Sequence, residues 1–240
     1  MPSKRRVLGQ HMLIDHRVLA KIMEAASISK HEKICEVGTG HGILTAELCK
    51  HARYVVSYEV DRELFKKAQK EMHFQNLYLA KADLFNAKEQ QQQHHFDVFI
   101  SNLPYSRSRD AFEWLATQKF DRAIVMVQKE FGEKIMAIPG DEKYRAISAI
   151  STHCFRIDKL LVIGKQSFKP QPMVESVLIR LSSVKTIEAD TIKNLNLLFS
   201  SRNKKASAVA AKAGIMVDFG TKRIDQLEPN DLIKIAEAMK

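Results

Sequence analysis

Lys33-Ile34-Cys35-Glu36-Val37 running into Gly38-Thr39-Gly40-His41-Gly42 is the stretch that decides the fold. A short apolar run closed by glycines reads as a buried strand, and the pattern of Ile43 to Lys50 that follows predicts a helix. The glycines then form the strand-to-helix turn, where the missing Cβ permits a tight bend and close approach of a ligand to the backbone. A dinucleotide fingerprint would carry another glycine at 43, but Ile43 stands there. The spacing therefore departs from the usual pyrophosphate cradle.

Outward from this turn, short apolar runs keep alternating with helical patterns as far as about Leu181, the signature of a parallel sheet covered by helices. Strands are predicted near Lys33 to Val37, Tyr54 to Tyr58, Leu77 to Lys81, Phe96 to Ser101, Ala123 to Val127, Ile157 to Ile163 and Val174 to Leu181. Helices are predicted at Ile43 to Lys50, Arg62 to Met72, Arg109 to Thr117, Lys129 to Ala137 and Tyr144 to Cys154. The last two strands have no helix between them, and their loop carries Pro170 and Pro172. A hairpin with an antiparallel final strand follows. Ahead of the sheet, Asp15 can cap a helix with Val18, Leu19, Ile22 and Met23 on its apolar face. After Leu181 only helical patterns remain, at Ala189 to Ser200, Asn203 to Ala213 and Pro229 to Met239. The expected organisation is an α/β domain over residues 1–185, with a basic arm and a helix at its start, and a small helical domain over 186–240.

The net charge of +10 and the pI near 9.5 favour a polyanionic partner, since each neutralised phosphate releases condensed counterions. Lys4, Arg5 and Arg6 form a basic arm; Arg107, Arg109, Lys165, Lys169, Arg202, Lys204 and Lys205 fall in predicted loops or helix starts. Cys35, Cys49 and Cys154 are isolated in sequence, which argues against a disulfide framework or a structural zinc site. Gln90 to Gln93 with His94 and His95 reads as a polar surface loop, and no metal site is expected. No apolar run approaches the ~18 residues of a membrane span, and the start lacks the apolar stretch of a secretory signal. The expectation is a cytoplasmic chain.

Two further strand ends offer carboxylates. Glu59, 21 positions after Gly38, ends the second strand, where it can accept hydrogen bonds from both ribose hydroxyls. Asp83, after the third, can accept from an adenine amino group. Each has a plainer reading as a surface or capping carboxylate, but in register with the glycines they describe a site for an adenosine ligand without a required phosphate. S-adenosylmethionine fits it. On the fourth strand end stands Asn102-Leu103-Pro104-Tyr105, an amide, a rigid turn residue and a ring, whose plain reading is a turn. Its chemical reading is a site for methylating the exocyclic amine of a nucleobase. Such an amine is a poor nucleophile until acceptors, here the Asn102 oxygen and a backbone carbonyl beside Pro104, draw on its N–H groups while Tyr105 stacks on the base.

In this order the motifs resemble the ribosomal RNA adenine N6,N6-dimethyltransferase family, in a form closest to its archaeal branch. Leu8-Gly9-Gln10-His11-Met12-Leu13, Glu36-Val37-Gly38-Thr39-Gly40, Glu59-Val60-Asp61-Arg62, Ala82-Asp83, Asn102-Leu103-Pro104-Tyr105, Gln128-Lys129-Glu130-Phe131, Ser167-Phe168-Lys169-Pro170-Gln171-Pro172 and Arg202-Asn203-Lys204-Lys205 carry the likeness. It implies a Rossmann-like class I methyltransferase fold, a seven-stranded mostly parallel sheet with an antiparallel last strand, plus a small C-terminal helical domain. It implies that Gln10, His11, Leu13, Gly38, Gly40, Glu59, Asp83 and Asn102 contact S-adenosyl-L-methionine. Asn102, Leu103, Pro104 and Tyr105 would form the catalytic loop, with Phe168 stacking on the target adenine opposite Tyr105 from a loop position. Arg107, Arg202, Lys204 and Lys205 would meet RNA. Ser106-Arg107-Ser108 departs from the family, which usually has an apolar residue before that serine.

The resemblance implies dimethylation of two adjacent adenines near the 3′ end of small-subunit rRNA, by a monomer acting on that rRNA or its precursor particle. Two other readings share the same motifs: an RNA-binding assembly factor in which methylation is secondary, and an adenine N6-methyltransferase acting on large-subunit rRNA or DNA.

Overall fold

The computed structural model describes residues 11–86 and 95–239. Gln10, the basic arm and the glutamine run up to His94 lie outside the described residues. The chain divides into two compact units: Met1–Ser108, Phe120–Lys129 and Asp158–Ser182 make the first, and Arg109–Lys119, Glu130–Ile157 and Ser183–Lys240 the second.

The first unit holds most of a seven-stranded sheet. Its strands are β2 (Lys33–Val37), β3 (Tyr54–Tyr58), β4 (Leu77–Ala80), β5 (Val98–Asn102), β6 (Arg122–Gln128), β7 (Phe155–Ile163) and β9 (Ser176–Ser183), while β1 (Met12–Leu13) and β8 (Phe168–Lys169) form a separate antiparallel pair. The order is β4-β3-β2-β5-β6-β9-β7. Pairings among β4, β3, β2, β5 and β6 are parallel, and β9 runs antiparallel to β6 from Arg122↔Ser182 to Gln128↔Ser176. This is the expected mixed sheet. The chain moves outward from β2 in one direction through β3 and β4, then returns to lay β5 on the other side of β2. A crevice at the carboxyl ends of β2 and β5 is the consequence.

The helices of this unit start where the sequence supplies caps. α1 (His16–Ala26) begins at Asp15, whose side chain accepts from the Arg17 N–H at 2.9 Å, and buries Val18, Leu19, Ile22 and Ala26. α2 (Ile43–His51) starts from Gly42, and α3 (Arg62–Glu71) from Asp61, which accepts from the N–H groups of Glu63 and Leu64. One apolar cluster joins Ile22 of α1, Leu48 of α2, strand residues Ile34, Val98, Ile100 and Met126, and Leu13 with Phe168 from the short pair.

The second unit holds α4 (Ser108–Leu115, entered from the first unit), α5 (Lys129–Ile135), α6 (Ala146–Cys154), α7 (Ala189–Ser200), α8 (Ala206–Lys212) and α9 (Pro229–Ala238). A boundary at 185 follows chain order, whereas the spatial grouping draws in earlier segments. The Tyr144 hydroxyl donates to the Leu227 carbonyl at 3.2 Å, Gly140 N–H to Asp225 at 2.8 Å and Ile187 N–H to Ala116 at 3.0 Å. Two predicted helix starts move inward. α6 begins at Ala146 because the Ser148 hydroxyl accepts from Arg145 N–H. α8 begins at Ala206 because Lys205 is engaged in a bridge with Arg223. No helix among the described residues is long and apolar enough to cross a membrane.

Candidate active site

At the carboxyl end of β2 the backbone turns through Gly38 (φ 86) and Gly40 (φ 57), values that an L side chain adopts only under strain. A Cβ on Gly40 would lie 2.9 Å from the Met12 sulfur, so the loop and β1 approach closer than any side chain would allow. Ladder bonds are extended past the strand ends: Gly38 N–H donates to Tyr58 at 2.8 Å, Glu59 N–H to Ala80 at 2.9 Å, and the Ser101 hydroxyl to the Val37 carbonyl at 2.6 Å.

Glu59 is 2 % exposed. Its two oxygens accept from Gly40 N–H and Asp61 N–H, both at 2.9 Å, so the glycine turn and the carboxylate hold each other. Burial raises its pKa above the ordinary carboxylate value, partly opposed by these backbone bonds. Behind it lies a polar knot: Glu36 accepts from Thr45 and Ser57 hydroxyls at 2.6 Å each, and Thr39 bonds Ser57 at 2.6 Å. Full burial pushes Glu36 up to about 7, and its second oxygen, Oε1, is buried with no partner among the described residues.

Asn102 closes β5 rather than lying in a loop after it. Its Nδ2 donates to the His11 carbonyl at 3.0 Å. A carbonyl only accepts, so this contact orients the amide and leaves Oδ1 as its acceptor end. The Tyr105 hydroxyl bonds Ser176 at 2.7 Å, and its ring lies 5.1 Å from the His11 ring at 34°. His11 in turn donates from Nδ1 to the Pro170 carbonyl at 2.7 Å. His11, Met12, Gly38, Gly40, Glu59, Asn102, Leu103, Pro104 and Tyr105 therefore surround one narrow cavity. Next to it, sharing Gly38 and Pro104, is a wider cleft of about 240 Å³ bordered by Tyr58, Val60, Asp83 and Phe85. A small hydrogen-bonding chamber beside a broader, mostly apolar one is the shape an adenosine with a polar tail requires.

Two expectations are corrected. Phe168 is not a loop residue: it pairs with Leu13 in the β1–β8 ladder, is 3 % exposed and belongs to the apolar cluster. Its ring has no open face here, and the ring near Tyr105 is that of His11. Arg107 does not project freely towards a polyanion: its Nη2 lies 2.8 and 2.9 Å from the two Asp83 oxygens. Leu13 is also buried at 6 % and belongs to the same apolar cluster, not to the lining of the cavity. In the second unit Lys204 and Lys205 are exposed and Arg202 is half-buried.

Sequence reasoning passed over Met12, Ser57 and Ser176. Ser57 carried a signal, a hydroxyl inside the otherwise apolar run Tyr54-Val55-Val56-Ser57-Tyr58. Ser176 carried none, because its partner Tyr105 is 71 residues away.

The sheet order, the glycine turn and the acidic strand ends define a class I methyltransferase of Rossmann-like architecture. The family model described as ribosomal RNA adenine dimethylase matches residues 1–212, and the chain belongs to that family. It is thus an S-adenosylmethionine-using rRNA methyltransferase. A Thermotoga maritima protein named "Ribosomal RNA small subunit methyltransferase A" is 32% identical over 83% of this chain and 72% of its own length. A Pyrococcus abyssi protein named "Probable ribosomal RNA small subunit methyltransferase A" is 29% identical over 97% of this chain and 91% of its own. Among solved structures, a dimethyladenosine transferase from Plasmodium falciparum superposes with a TM-score of 0.75 at 24% identity, covering 94% of this chain and 96% of that one.

Proposed function

We propose that this protein transfers methyl groups from S-adenosyl-L-methionine to N6 of two adjacent adenines near the 3′ end of small-subunit rRNA, twice per base, acting as a monomer on the rRNA or its precursor particle in the cytoplasm. The observation that carries this reading is the Asn102–His11 bond, which occupies the donor end of the amide and leaves Oδ1 as its acceptor, in a residue that lines one cavity with Gly38, Gly40 and Glu59.

The residues fit the cofactor. Glu59 is a buried carboxylate fixed by two backbone bonds, suited to ribose hydroxyls, and Asp83 borders the cleft wide enough for a purine. Gly38 and Gly40 admit a ligand against the backbone, and Met12, flexible and unbranched, is the side chain best able to yield there. When bound, the cofactor supplies an electrophilic methyl on a sulfonium.

The chain's own groups prepare the amine. Asn102 Oδ1 and a backbone carbonyl beside Pro104, that of Leu103, accept from its two N–H groups, while the Pro104 carbonyl receives Arg107 N–H at 2.8 Å. These bonds draw the nitrogen lone pair out of conjugation and hold it in place. Tyr105 supplies a stacking face, fixed by its bond to Ser176. No strong base is required, because a methylated anilinium-type nitrogen is acidic enough to lose its proton to water. The test is incubation with labelled S-adenosylmethionine and unmodified small subunits, followed by nuclease mapping and mass spectrometry. Dimethyladenosine at paired positions is expected; label confined to large-subunit RNA or DNA would overturn the target.

A further inference from the structure

Arg107 reaches back from the turn after Pro104 to the end of the third parallel strand position, where its Nη2 contacts both oxygens of Asp83. The guanidinium carbon also lies 5.6 Å from the centre of the Phe85 ring, and Phe85 N–H donates to Asp83 at 3.0 Å. One cation thus joins the acceptor loop, through Pro104 and Tyr105, to the carboxylate bordering the wider cleft. The cleft of about 240 Å³ is open with this pair formed, so a base can enter without displacing the arginine. A carboxylate offers about four acceptor directions; the guanidinium meets both Asp83 oxygens and Phe85 N–H meets Oδ1, so an incoming amine would be received on the Oδ2 side.

We propose that Arg107 is a specificity-determining positioning residue, its guanidinium holding Asp83 as a fixed, charged acceptor for the exocyclic amine of the cofactor's adenine and tying that end of the site to the Asn102–Tyr105 loop. This rests on the cofactor reading given above. The pair is a partly exposed one, with side-chain exposures of 36% and 29%, so its net contribution to folding is small; its effect falls on orientation. Arginine suits this better than lysine, since its planar group can face the Phe85 ring while bonding the carboxylate.

The test is calorimetric titration of the full chain with S-adenosylhomocysteine and with S-inosylhomocysteine, which carries an oxygen where the amine would be. Loss of one charge-assisted bond corresponds to roughly a tenfold change in affinity. Arg107→Met is expected to weaken the adenosyl ligand by about that factor, to narrow its advantage over the inosyl ligand, and to do neither in an Asp83→Asn background. Arg107→Lys should recover part of the preference. Unchanged affinity and preference in Arg107→Met, or tighter adenosyl binding, would overturn the proposal. If the unmodified protein bound neither ligand, the cofactor reading would fall first, and this one with it.

Discussion

The Asn102 amide donates to the His11 carbonyl at 3.0 Å across 91 residues of sequence, and this single bond decides which end of the amide faces the site. Because His11 is itself anchored to the Pro170 carbonyl at 2.7 Å, the acceptor oxygen is set by a chain of contacts made before any substrate arrives. Such preorganised acceptors are worth about 100-fold or more in turnover. Asn102→Ala should therefore lose about 100-fold in kcat, with its circular dichroism spectrum and melting temperature near those of the parent. Near-normal methylation by a folded Asn102→Ala protein would remove the amide from the mechanism.

Phe168 supplies a second prediction because two roles for it give opposite results. Its ring is buried with Leu13, Ile163 and Leu178, so Phe168→Ala should cost about 3 kcal/mol or more as a core truncation. Phe168→Leu keeps most of the volume and should keep most of the activity at a temperature where it is folded. A base-stacking ring would behave otherwise, since replacing an aromatic face by Leu forfeits about 1–3 kcal/mol of stacking. The ratio of kcat between Phe168→Leu and the parent is the measurement.

The difference between what was legible and what was not follows from contact distance. The strand–glycine turn at Val37 to Gly42, the cap at Asp15 and the helix Ala189–Ser200 are local patterns, and the folded chain has them within a residue or two. Glu59, Asp83 and Asn102 were readable because each lies at or within three residues of a strand's end, and parallel strands bring their ends to one edge. The β1–β8 pair was not: two residues matched with two others more than 150 positions away leave no periodicity to detect. That pair buries Phe168 and delivers His11 to Tyr105, so the departure at Phe168 and the ring found beside Tyr105 have one cause. Arg107 was read as a partner for RNA because charge in a loop is ordinarily solvated; only the sheet order places Asp83 within reach.

Glu36 makes the pH dependence of stability testable. Burial raises its pKa from 4.5 to about 7, so the folded state retains a proton that the unfolded chain has lost. Between those values the folded state binds more protons, and stability falls as pH rises. The contribution is fully present below 4.5 and is lost as pH rises through about 7. Glu36→Gln has no carboxylate to ionise and lacks this loss. The difference in melting temperature between Glu36→Gln and the parent should move in the variant's favour from pH 5 to pH 8, while groups that do not interact with Glu36 cancel in the subtraction. A difference flat across that range would mean that Glu36 is ionised throughout.

The basic corner of the second unit separates RNA affinity from cofactor affinity. Lys204 and Lys205 are exposed, yet the backbone beneath them is held by Ile224 N–H to the Lys204 carbonyl at 3.2 Å and Ala206 N–H to Lys222 at 2.8 Å. Their charges are thus carried on an ordered turn, and the chain's net charge of +10 gives a polyanion reason to approach. Each phosphate contact adds close to one unit to the slope of log affinity against log salt. Neutralising both, as Lys204→Gln and Lys205→Gln together, should weaken binding to a small-subunit rRNA fragment and lower that slope by about 2. S-adenosylhomocysteine affinity should be unaltered, because neither side chain belongs to the unit that carries Glu59 and Asp83. A salt slope identical to the parent's would exclude both lysines from the RNA contact and leave the charge excess to be placed elsewhere on the chain.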